Sequence, residues 1–311
     1  MRPDPDWDRC RFLTASVLPV ARACDLRCPF CFSRSSLSAL DRRIAPYDLD
    51  AYFELASARG ATRLVVTGGG EPLLRADEVV RIVKRGKRWF DEIACFTNAT
   101  HLSETLADEL LEAGLSYLCW SRHHHDDETN RAIMGAEAPA LIEGMRRASK
   151  LPIRATCVMI RGGIETREDA LAYRAALLEA RQKTWRGAGG ASLELTFKHT
   201  YVAFAESLFQ GSSANEWAST HRVAIDPFEG DERFPVIASL PWGPRIRDVF
   251  GTRTCFYNEP TPLWEKASGL CRSANLLADG SVYASLEDAR SWLAKLTIDA
   301  RRPIRASILS A

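Results

Sequence analysis

From Phe12 to about Lys198, short β-rich runs alternate with stretches whose apolar residues recur at helical spacing. This pattern predicts six strand-helix units and favours a parallel sheet covered by helices. Ser103 and Thr166 stand where two of the helices should begin. The predicted strands are 13–20, 63–67, 92–97, 116–121, 153–160 and 192–198. The predicted helices are 48–59, 76–88, 103–113, 138–149 and 166–182.

The pattern changes after Lys198. Residues 210–262 are rich in Gly, Ser, Pro and Trp and show no long periodic helix, so we expect irregular structure there. Apolar runs on both sides of Asp279-Gly280 predict a short hairpin over 274–284. The tail from 286 to 309 ends basic, and we expect it to be helical up to residue 299.

Composition narrows the class of protein. The chain has 311 residues, 46% of them apolar and 26% charged, values typical of a folded globular protein. Its formal charge of +1 supplies no general field for nucleic acid or an anionic membrane. No apolar run approaches the length of a membrane span, and the N-terminus is too polar for a secretory signal. We therefore expect a cytoplasmic protein with neither nucleic acid nor membrane as a partner.

Three of the nine cysteines, Cys24, Cys28 and Cys31, crowd into the run CDLRCPFCF. In a reducing compartment, clustered thiols are more often metal or redox ligands than disulfides. Three thiolates at C-x3-C-x2-C spacing can hold three irons of a four-iron cluster and leave the fourth iron reactive. The alternatives are a zinc loop completed from elsewhere in the chain and a Cys-rich turn without a metal.

This spacing, with the aromatic Phe30 before the third cysteine, resembles the radical S-adenosylmethionine (SAM) superfamily. The resemblance implies that Cys24, Cys28 and Cys31 bind a [4Fe-4S] cluster whose open iron is chelated by the methionine amino and carboxylate groups of SAM. It also implies that one electron cleaves SAM to methionine and a 5'-deoxyadenosyl radical, which abstracts hydrogen from a substrate.

A second run, RLVVTGGGEP at 63–72, resembles the Gly-Gly-Glu-Pro motif of the same superfamily. The resemblance implies that Gly69, Gly70 and Glu71 contact the amino group of SAM. Glycines let a ligand approach the backbone at the carboxyl end of a strand, and a carboxylate suits an ammonium group. Standing alone, a glycine run after a strand would more often be a tight turn.

Three further positions resemble SAM contacts of the family. Asn98 lies in FTNA, which is similar to a Thr-Asn-Gly type turn near the ribose and the methionine carboxylate. Ser121 ends the fourth predicted strand, where the family often has a ribose contact, and residues 126–135 resemble the helix that follows. Gly163 lies in MIRGGIE at 159–165, which resembles the fifth-strand turn that backs the adenine in the family. Each residue also suits an ordinary strand-end turn or helix cap.

Alternating polar positions on the last two predicted strands indicate a wet, ligand-lined interior. The candidate substrate contacts are Arg154, Glu194, Lys198, His199 and Tyr201. A cation there would suit a carboxylate or phosphate. The alternative is that the sixth strand is an exposed edge. Three adjacent histidines, 123–125, are interpreted as solvated loop residues rather than metal ligands.

Cys255 and Cys271, placed before the Asp279-Gly280 hairpin, resemble the opening half of the auxiliary-cluster regions called SPASM or twitch. No cysteine follows Cys271, so a second cluster would have to be completed by Cys10 or by a non-cysteine ligand, or keep an open iron. The alternative is a pair of buried structural thiols. The remaining three, Cys95, Cys119 and Cys157, lie in predicted strands and are interpreted as core residues.

The resemblance implies an α/β fold, a partial (βα)6 TIM-like radical SAM barrel over 10–205, with an irregular C-terminal extension over 206–311 that shapes the substrate pocket. The hypothesis is hydrogen abstraction from a nucleoside-like or sugar-like small molecule in natural product biosynthesis. Epimerisation, rearrangement, decarboxylation or sulfur insertion would follow, with a flavodoxin-type or ferredoxin-type reductant. The alternatives are a maturase of ribosomally made peptides and, outside enzymology, an iron-sulfur electron-transfer or metal-binding protein.

Overall fold

The computed structural model describes residues 4–40, 43–189, 192–205 and 207–298. The strands are β1 Arg11–Val17, β2 Arg63–Val66, β3 Glu92–Thr97, β4 Tyr117–Ser121, β5 Ile153–Met159, β6 Leu193–His199, β7 Val236–Ser239, β8 Arg245–Val249, β9 Thr252–Tyr257, β10 Leu270–Leu276, β11 Ser281–Tyr283 and β12 Trp292–Lys295. The α-helices are α1 Leu49–Ala58, α2 Ala76–Gly86, α3 Glu104–Ala113, α4 Asp127–Met134, α5 Leu141–Arg147, α6 Arg167–Thr184, α7 Ser213–Thr220 and α8 Pro262–Ser268.

The twelve strands of the described residues join one sheet in the order β12-β11-β10-β1-β2-β3-β4-β5-β6-β9-β8-β7. Within the described residues, the eight strands from β10 through β1–β6 to β9 are parallel to one another. The two pairs at the ends, β11 with β12 and β8 with β7, are antiparallel hairpin additions. The carboxyl ends of the eight parallel strands therefore lie along one edge, where α/β folds place their ligands.

The helices and strands begin where local chemistry predicts. The Ser103 side chain accepts a hydrogen bond from the Leu106 N–H at the start of α3, and Thr166 forms a reciprocal capping box with Asp169 at the start of α6. Apolar residues of the parallel strands β1–β6, β9 and β10 pack in one core with apolar residues of α1, α2, α3, α5 and α6. The sheet is consequently held on its outer side by continuous apolar contact.

The inner face of the sheet is not packed in the same way. On β6, Leu195 and Phe197 are buried in the core, whereas Thr196 and Lys198, which point to the opposite face, are half-buried. Closed TIM barrels fill their interior with layers of bulky side chains. Here, alternate positions on β6 and β9 keep partial exposure although these strands have neighbours on both sides. The inner face therefore lines an open space, which we call the lumen.

The α/β fold of a partial TIM-like barrel is confirmed, with small shifts in element bounds. β6 lies between β5 and β9, so the alternative that the sixth strand is an exposed edge is wrong. The C-terminal part of the chain is also more regular than we predicted, because β9 and β10 extend the parallel set on its two sides. The boundary that we expected at residue 205 falls between strands of one sheet.

Two local predictions need correction. Residues 210–262 contain α7 and three strands, β7–β9, and are not simply irregular. The pattern hid these strands because arginines occupy them: Arg247 on β8 is buried and pairs with Asp226 at 2.8 Å. Residues 286–298 form a 3-10 turn and β12 rather than a helix, because pairing with β11 overrides local propensity. The remainder of the predicted tail helix lies outside the described residues.

The hairpin predicted around Asp279-Gly280 is confirmed, since β10 and β11 pair antiparallel across it. Among the described residues, none of the helices has both the length and the apolar character needed to cross a bilayer.

Candidate active site

The cysteine run follows β1 and lies at the ligand-facing edge of the sheet. Cys24 is exposed, while Cys28 and Cys31 are half-buried. The Leu26 N–H donates to the Cys24 sulfur at 3.4 Å, and the Cys31 N–H donates to the Cys28 carbonyl at 3.3 Å. The Arg27 N–H donates to the Met134 carbonyl at the end of α4, at 2.8 Å. The loop is thus fixed by backbone bonds while its thiols stay accessible.

The three thiols share one electrostatic environment. Burial, together with charge on Cys31 and Cys24, raises the pKa of Cys28 to about 12. Partial desolvation of its sulfur raises the pKa of Cys24 to about 11. In the described residues no three ligand side chains already surround one metal position, so the loop carries a donor set rather than a finished cage. Three adjacent, accessible sulfurs fit an iron-sulfur cluster, whose metal ions deprotonate their thiol ligands.

The glycine run after β2 lies directly against the segment that leads into the cysteine loop. A Cβ atom on Gly69 would lie 2.0 Å from the Val20 carbonyl oxygen, and one on Gly70 would lie 1.8 Å from the Ala23 carbonyl oxygen. Both distances are far below any real contact, so no side chain fits at either position. The Glu71 N–H then donates to the same Ala23 carbonyl at 2.7 Å. The two motifs are therefore joined backbone to backbone.

Glu71 itself faces the protein. Its carboxylate accepts hydrogen bonds from the Thr97 hydroxyl at 2.6 Å, from the Asn98 N–H at 2.8 Å and from the Leu73 N–H at 2.9 Å. Only 3% of the residue is exposed, and burial raises its pKa. These bonds tie the ends of β2 and β3 together. The contact of Glu71 with the amino group of SAM stays a prediction.

Asn98 connects the end of β3 to the cysteine loop. Its side-chain amide donates to Asp25 Oδ1 at 2.9 Å and lies 3.9 Å from the Cys24 sulfur. The next residue, Ala99, has a left-handed backbone with φ +64°. This is the position that glycine holds in a Thr-Asn-Gly turn, so alanine here adopts a conformation that glycine tolerates better.

His123 turns inward at the end of β4 and packs edge-on against Phe30 of the cysteine loop, with ring centroids 4.8 Å apart. The Val158 N–H donates to His123 Nδ1 at 3.0 Å. Burial, with the charges of Lys198 and Arg122, lowers the pKa of His123 to about 3, so the ring is neutral. Because Nδ1 accepts a bond, the ring proton resides on Nε2.

The other two histidines of the run point elsewhere. His124 Nδ1 accepts from the Asp126 N–H at 3.0 Å, beside the start of α4, and its ring stacks on His125 at 4.4 Å. The three histidines therefore share no common direction, and the run contributes one side chain to the site and two to the loop.

Ser121 and Gly163 occupy the strand-end positions that we predicted. Ser121 is the last residue of β4, half-buried and on the lumen face. Gly163 lies in the turn after β5, and a Cβ atom there would lie 2.8 Å from Ile160 and 3.5 Å from Ile133 of α4. Ile133 in turn packs in a small cluster with Cys28, so Gly163 is one side chain away from the cysteine loop.

Arg154 and Glu194 lie lower in the lumen, nearer the amino ends of β5 and β6. Arg154 donates to Glu194 Oε2 at 2.6 and 2.9 Å and to the Tyr117 hydroxyl at 3.0 Å. Arg253 of β9 lies 3.7 Å from Glu194. The two predicted substrate contacts, Arg154 and Glu194, thus bind each other. Glu194 precedes Lys198 by four residues on β6, which places it roughly 13 Å from Lys198 along the strand.

Lys198 lies on the lumen face near the carboxyl end of β6. Its ammonium lies 2.9 Å from Glu259 Oε1 and 5.1 Å from the centre of the Tyr257 ring. Arg272 of β10 forms an ion pair with the same Glu259. Burial, reinforced by the charge of Arg272, lowers the pKa of Lys198 to about 8.

The last two predicted substrate contacts separate. His199 Nε2 lies 2.8 Å from the Val223 carbonyl and beside Arg222, away from Lys198. Tyr201 packs edge-on against Phe32 of the cysteine loop at 4.8 Å, and its pKa is raised by burial and by the neighbouring Glu287 carboxylate. Of this pair, the structure brings Tyr201 to the cysteine loop and leaves His199 outside.

Cys255 and Cys271 do not meet. Cys255 lies on the lumen face of β9, opposite Thr196 of β6. Cys271 is buried on β10 beside Cys10, and that neighbour together with burial raises its pKa. The described residues hold no three-ligand metal group at either position. Cys10 and Cys271 therefore form a pair of buried thiols, and Cys255 stands apart from them. The remaining core cysteines are buried as we predicted: Cys95, Cys119 and Cys157.

Sequence reasoning missed several residues of the site. Trp217 of α7 packs 5.8 Å from Phe30, in a segment that we predicted as irregular. The sequence feature that could have predicted α7 is Ser212, a residue type that often begins helices. Its side chain accepts a hydrogen bond from the Asn215 N–H. Glu259 and Arg272 carried no motif that could have marked them.

Comparisons with known proteins identify the family of this chain. A family model described as the Radical SAM superfamily matches residues 18–176, just over half of the 311 residues. A probable GTP 3',8-cyclase of Thermococcus kodakarensis is 29% identical over 155 residues, covering 49% of this chain and 50% of its own length. A GTP 3',8-cyclase of Rhizobium etli is 29% identical over 150 residues, covering 46% and 42%. The match thus spans about half the length of these relatives.

Among solved structures, Streptococcus suis SuiB bound to S-adenosylmethionine aligns with a TM-score of 0.54 at 15% identity. The alignment covers 88% of this chain and 60% of SuiB. HydG, a maturase of the [FeFe]-hydrogenase, aligns with a TM-score of 0.51 over 71% of this chain and 48% of its own, at 13% identity. At such identities the likeness shows a shared fold, and it extends beyond the residues that the family model matches.

Proposed function

The chain belongs to the radical SAM superfamily, and from that premise we propose that it abstracts a hydrogen atom from a small, nucleoside-like or sugar-like molecule. Members of this superfamily are enzymes that use a [4Fe-4S] cluster and SAM. When bound, these cofactors supply the electron and the 5'-deoxyadenosyl group that removes hydrogen from the substrate. The protein's own residues then have to hold the cofactors, orient the substrate and exclude water.

The contact between the cysteine loop and the glycine loop carries the proposal. Gly70 has no room for even a methyl group against Ala23, and Glu71 donates its N–H to the same carbonyl. A ligand bound to the cysteine loop would therefore lie beside the backbone of the glycine loop. An electron carrier needs no such arrangement, whereas an amino-acid-bearing cofactor beside its metal does.

The residues divide into two roles. Cys24, Cys28 and Cys31 would hold the cluster, and the backbone of Gly69-Gly70 would receive the amino group of SAM. Glu71 would act as a positioning residue, because its three hydrogen bonds fix the two strand ends rather than reach outward.

A second set of residues lies around the adenosine part of SAM in this proposal. Asn98 would act near the methionine carboxylate and the ribose, with Ser121 also near the ribose. Phe30, pressed against the neutral His123, and the Gly163 turn would flank the adenine.

The open lumen supports a small-molecule substrate. Thr196, Cys255 and Lys198 keep partial exposure on the inner face of central strands. The curated relatives are named for a reaction of GTP, which favours a nucleotide or nucleoside among small molecules. Of the outcomes after abstraction, epimerisation, rearrangement and decarboxylation fit better than sulfur insertion, because Cys255 and Cys271 lie apart and share no site for a sacrificial cluster.

Reconstituted protein tests the proposal. Under anaerobic reduction it should convert SAM to 5'-deoxyadenosine and methionine, and a purine nucleotide or sugar substrate should accelerate this conversion. Deuterium on the substrate should appear in the 5'-deoxyadenosine. Absence of 5'-deoxyadenosine from protein that carries its iron and sulfide would contradict the proposal. Acceleration by peptides alone would replace the small molecule with a peptide substrate.

Several finer points remain proposals. We propose a flavodoxin-type or ferredoxin-type protein as the electron donor and the cytoplasm as the location, where thiols stay reduced. We also propose that residues 206–311 act as the part of the chain that shapes the substrate pocket, since β9 and β10 border the lumen.

A further inference from the structure

Three hydrogen-bond donors from three strands converge on one carboxylate at the lumen. Lys198 of β6 lies 2.9 Å from Glu259, and Arg272 of β10 forms an ion pair with it. The Tyr257 hydroxyl, at the end of β9, donates to Glu259 Oε2 at 2.8 Å and lies 3.4 Å from Arg272. No backbone pairing joins β9 to β10 in the described part of the chain, so these side chains meet across the gap in the parallel set.

The cations of this cluster are more accessible than their counter-ion. The side chains of Lys198 and Arg272 are 27% and 25% exposed, whereas that of Glu259 is 8% exposed. A cluster built only to close the gap would bury the charges equally or shield the cations. Here the carboxylate is covered and the two cations remain open to the space beside it.

Charge within the cluster is not balanced. Two cations share one carboxylate, and the charge of Arg272 helps to lower the pKa of Lys198. Two other carboxyls adjoin Arg272, but burial raises the pKa of Glu287 to about 7 and that of Glu265 to about 8. Both are therefore largely uncharged or only partly charged near neutral pH, which leaves an excess of positive charge.

The charged cluster is also connected to the cysteine loop. Lys198 pairs with Val158 of β5, and the Val158 N–H donates to His123 Nδ1 at 3.0 Å. His123 packs on Phe30, between Cys28 and Cys31, so a short chain of contacts joins Lys198 to the loop that the proposed function assigns to the cofactors.

From this geometry we infer that Lys198 and Arg272 bind an oxyanion group of the substrate, a carboxylate or a phosphate, at the gap between β9 and β10. Glu259 holds the two cations in place from behind, and the Tyr257 hydroxyl, which donates to Glu259, fixes that carboxylate. Such an arrangement orients an anionic substrate by charge-assisted hydrogen bonds. The inference rests on the proposed function, because it assigns the substrate class of that same lumen.

Calorimetric titration of inorganic pyrophosphate and of malonate tests the site in reconstituted protein saturated with SAM. We expect one of the two anions to bind the wild type and to lose about tenfold in affinity in Lys198→Met. Lys198→Arg should restore binding. Lys150→Met removes a lysine that pairs with Asp108 away from the lumen, and it should bind as the wild type does.

Glu259→Gln separates a binding site from a structural clamp. Removal of the counter-ion should tighten anion binding, about threefold or more, because the two cations lose their competing partner. If the cluster only holds the sheet together, Lys198→Met and Glu259→Gln should both lower the melting temperature, and Glu259→Gln should not increase the affinity for the anion. Failure of both anions to bind the wild type, or equal binding by Lys198→Met, would overturn the inference. Formation of 5'-deoxyadenosine tests the proposed function separately, so either can fail alone.

Discussion

The two sides of this site are built by different means. On the proposed cofactor side, the loops after β1 and β2 touch through their backbones, and Gly69 and Gly70 leave no space for a side chain. On the proposed substrate side, β6, β9 and β10 meet through long charged side chains, with Glu259 between Lys198 and Arg272. One side is built from packed backbone, and the other from charged side chains.

The difference suggests how the enzyme divides its tasks. Positions that pack backbone against backbone tolerate almost no substitution, which suits the binding of a cofactor that all family members share. Side-chain pairs across a gap between strands can be altered one residue at a time, and they suit a substrate that differs between family members. Changes on the cofactor side should therefore abolish the chemistry, whereas changes on the substrate side should alter affinity.

The largest effect should come from Cys28→Ala. Removal of one of three ligands should abolish the cluster, and with it all 5'-deoxyadenosine formation from SAM. Cys95→Ala is the matched control, because Cys95 is buried in β3 and touches no ligand position. Iron content and product yield measure both variants. Normal SAM cleavage by Cys28→Ala would refute the assignment of the loop.

Gly70→Ala should impair the site nearly as much as Cys28→Ala, although it removes no cysteine ligand of the cluster. Its methyl group would lie 1.8 Å from the Ala23 carbonyl oxygen, so the two loops would have to separate. We expect a loss of stability of about 3 kcal/mol and loss of SAM binding, measured by urea unfolding and by equilibrium dialysis. Gly211→Ala meets no atom within 4 Å and should behave as the wild type. A Gly70→Ala protein that binds SAM normally would show that the contact is dispensable.

The lowered pKa of His123, which lies between the two sides, predicts that the stability of the fold depends on pH. Its pKa falls from 6.5 to about 3 in the folded protein, so only the unfolded chain gains its proton as the pH drops below 6.5. This residue should therefore stabilise the fold fully above pH 6.5 and lose about 1.4 kcal/mol per pH unit below it.

Urea unfolding of the cluster-free chain across that range should show a shallower pH dependence in His123→Gln than in the wild type. Equal slopes in the two proteins would mean that His123 titrates normally in the fold.

The smallest predicted effect is a gain. Ala99 has φ +64° in the turn after β3, so Ala99→Gly should relieve a conformation that costs alanine about 1 kcal/mol. Ala113→Gly, at the end of α3, should lose stability by a similar amount. Thermal unfolding of the two variants should therefore shift in opposite directions. A parallel loss in both would show that the Ala99 turn is unstrained.

The contrast between the two sides also explains what the sequence could predict. Cys24, Cys28 and Cys31 lie in one loop, and Gly69-Gly70 follows a strand directly, so fixed local spacing revealed them. The six central strands were predictable for the same reason, because their outer faces alternate regularly against the core.

The substrate side depends on register between distant strands. Lys198, Glu259 and Arg272 meet only because β9 pairs with β6 while β10 pairs with β1 at the other side of the set. Nothing in their spacing indicates this, and β8 was hidden by Arg247, whose charge is buried against Asp226. The motif identified Glu71 as a site residue. The orientation of its carboxylate could not be predicted, because it depends on the Thr97 and Asn98 donors at the end of β3, which are distant in the sequence.

We propose that the cysteine loop and the glycine loop form one site for the cluster and SAM. Electron paramagnetic resonance spectra of the reduced, reconstituted protein, recorded without and with SAM, show whether SAM reaches the cluster. We expect SAM to change the spectrum of the cluster, because the proposed site holds SAM beside the open iron. A spectrum that stays the same at saturating SAM would mean that the two loops do not form such a site.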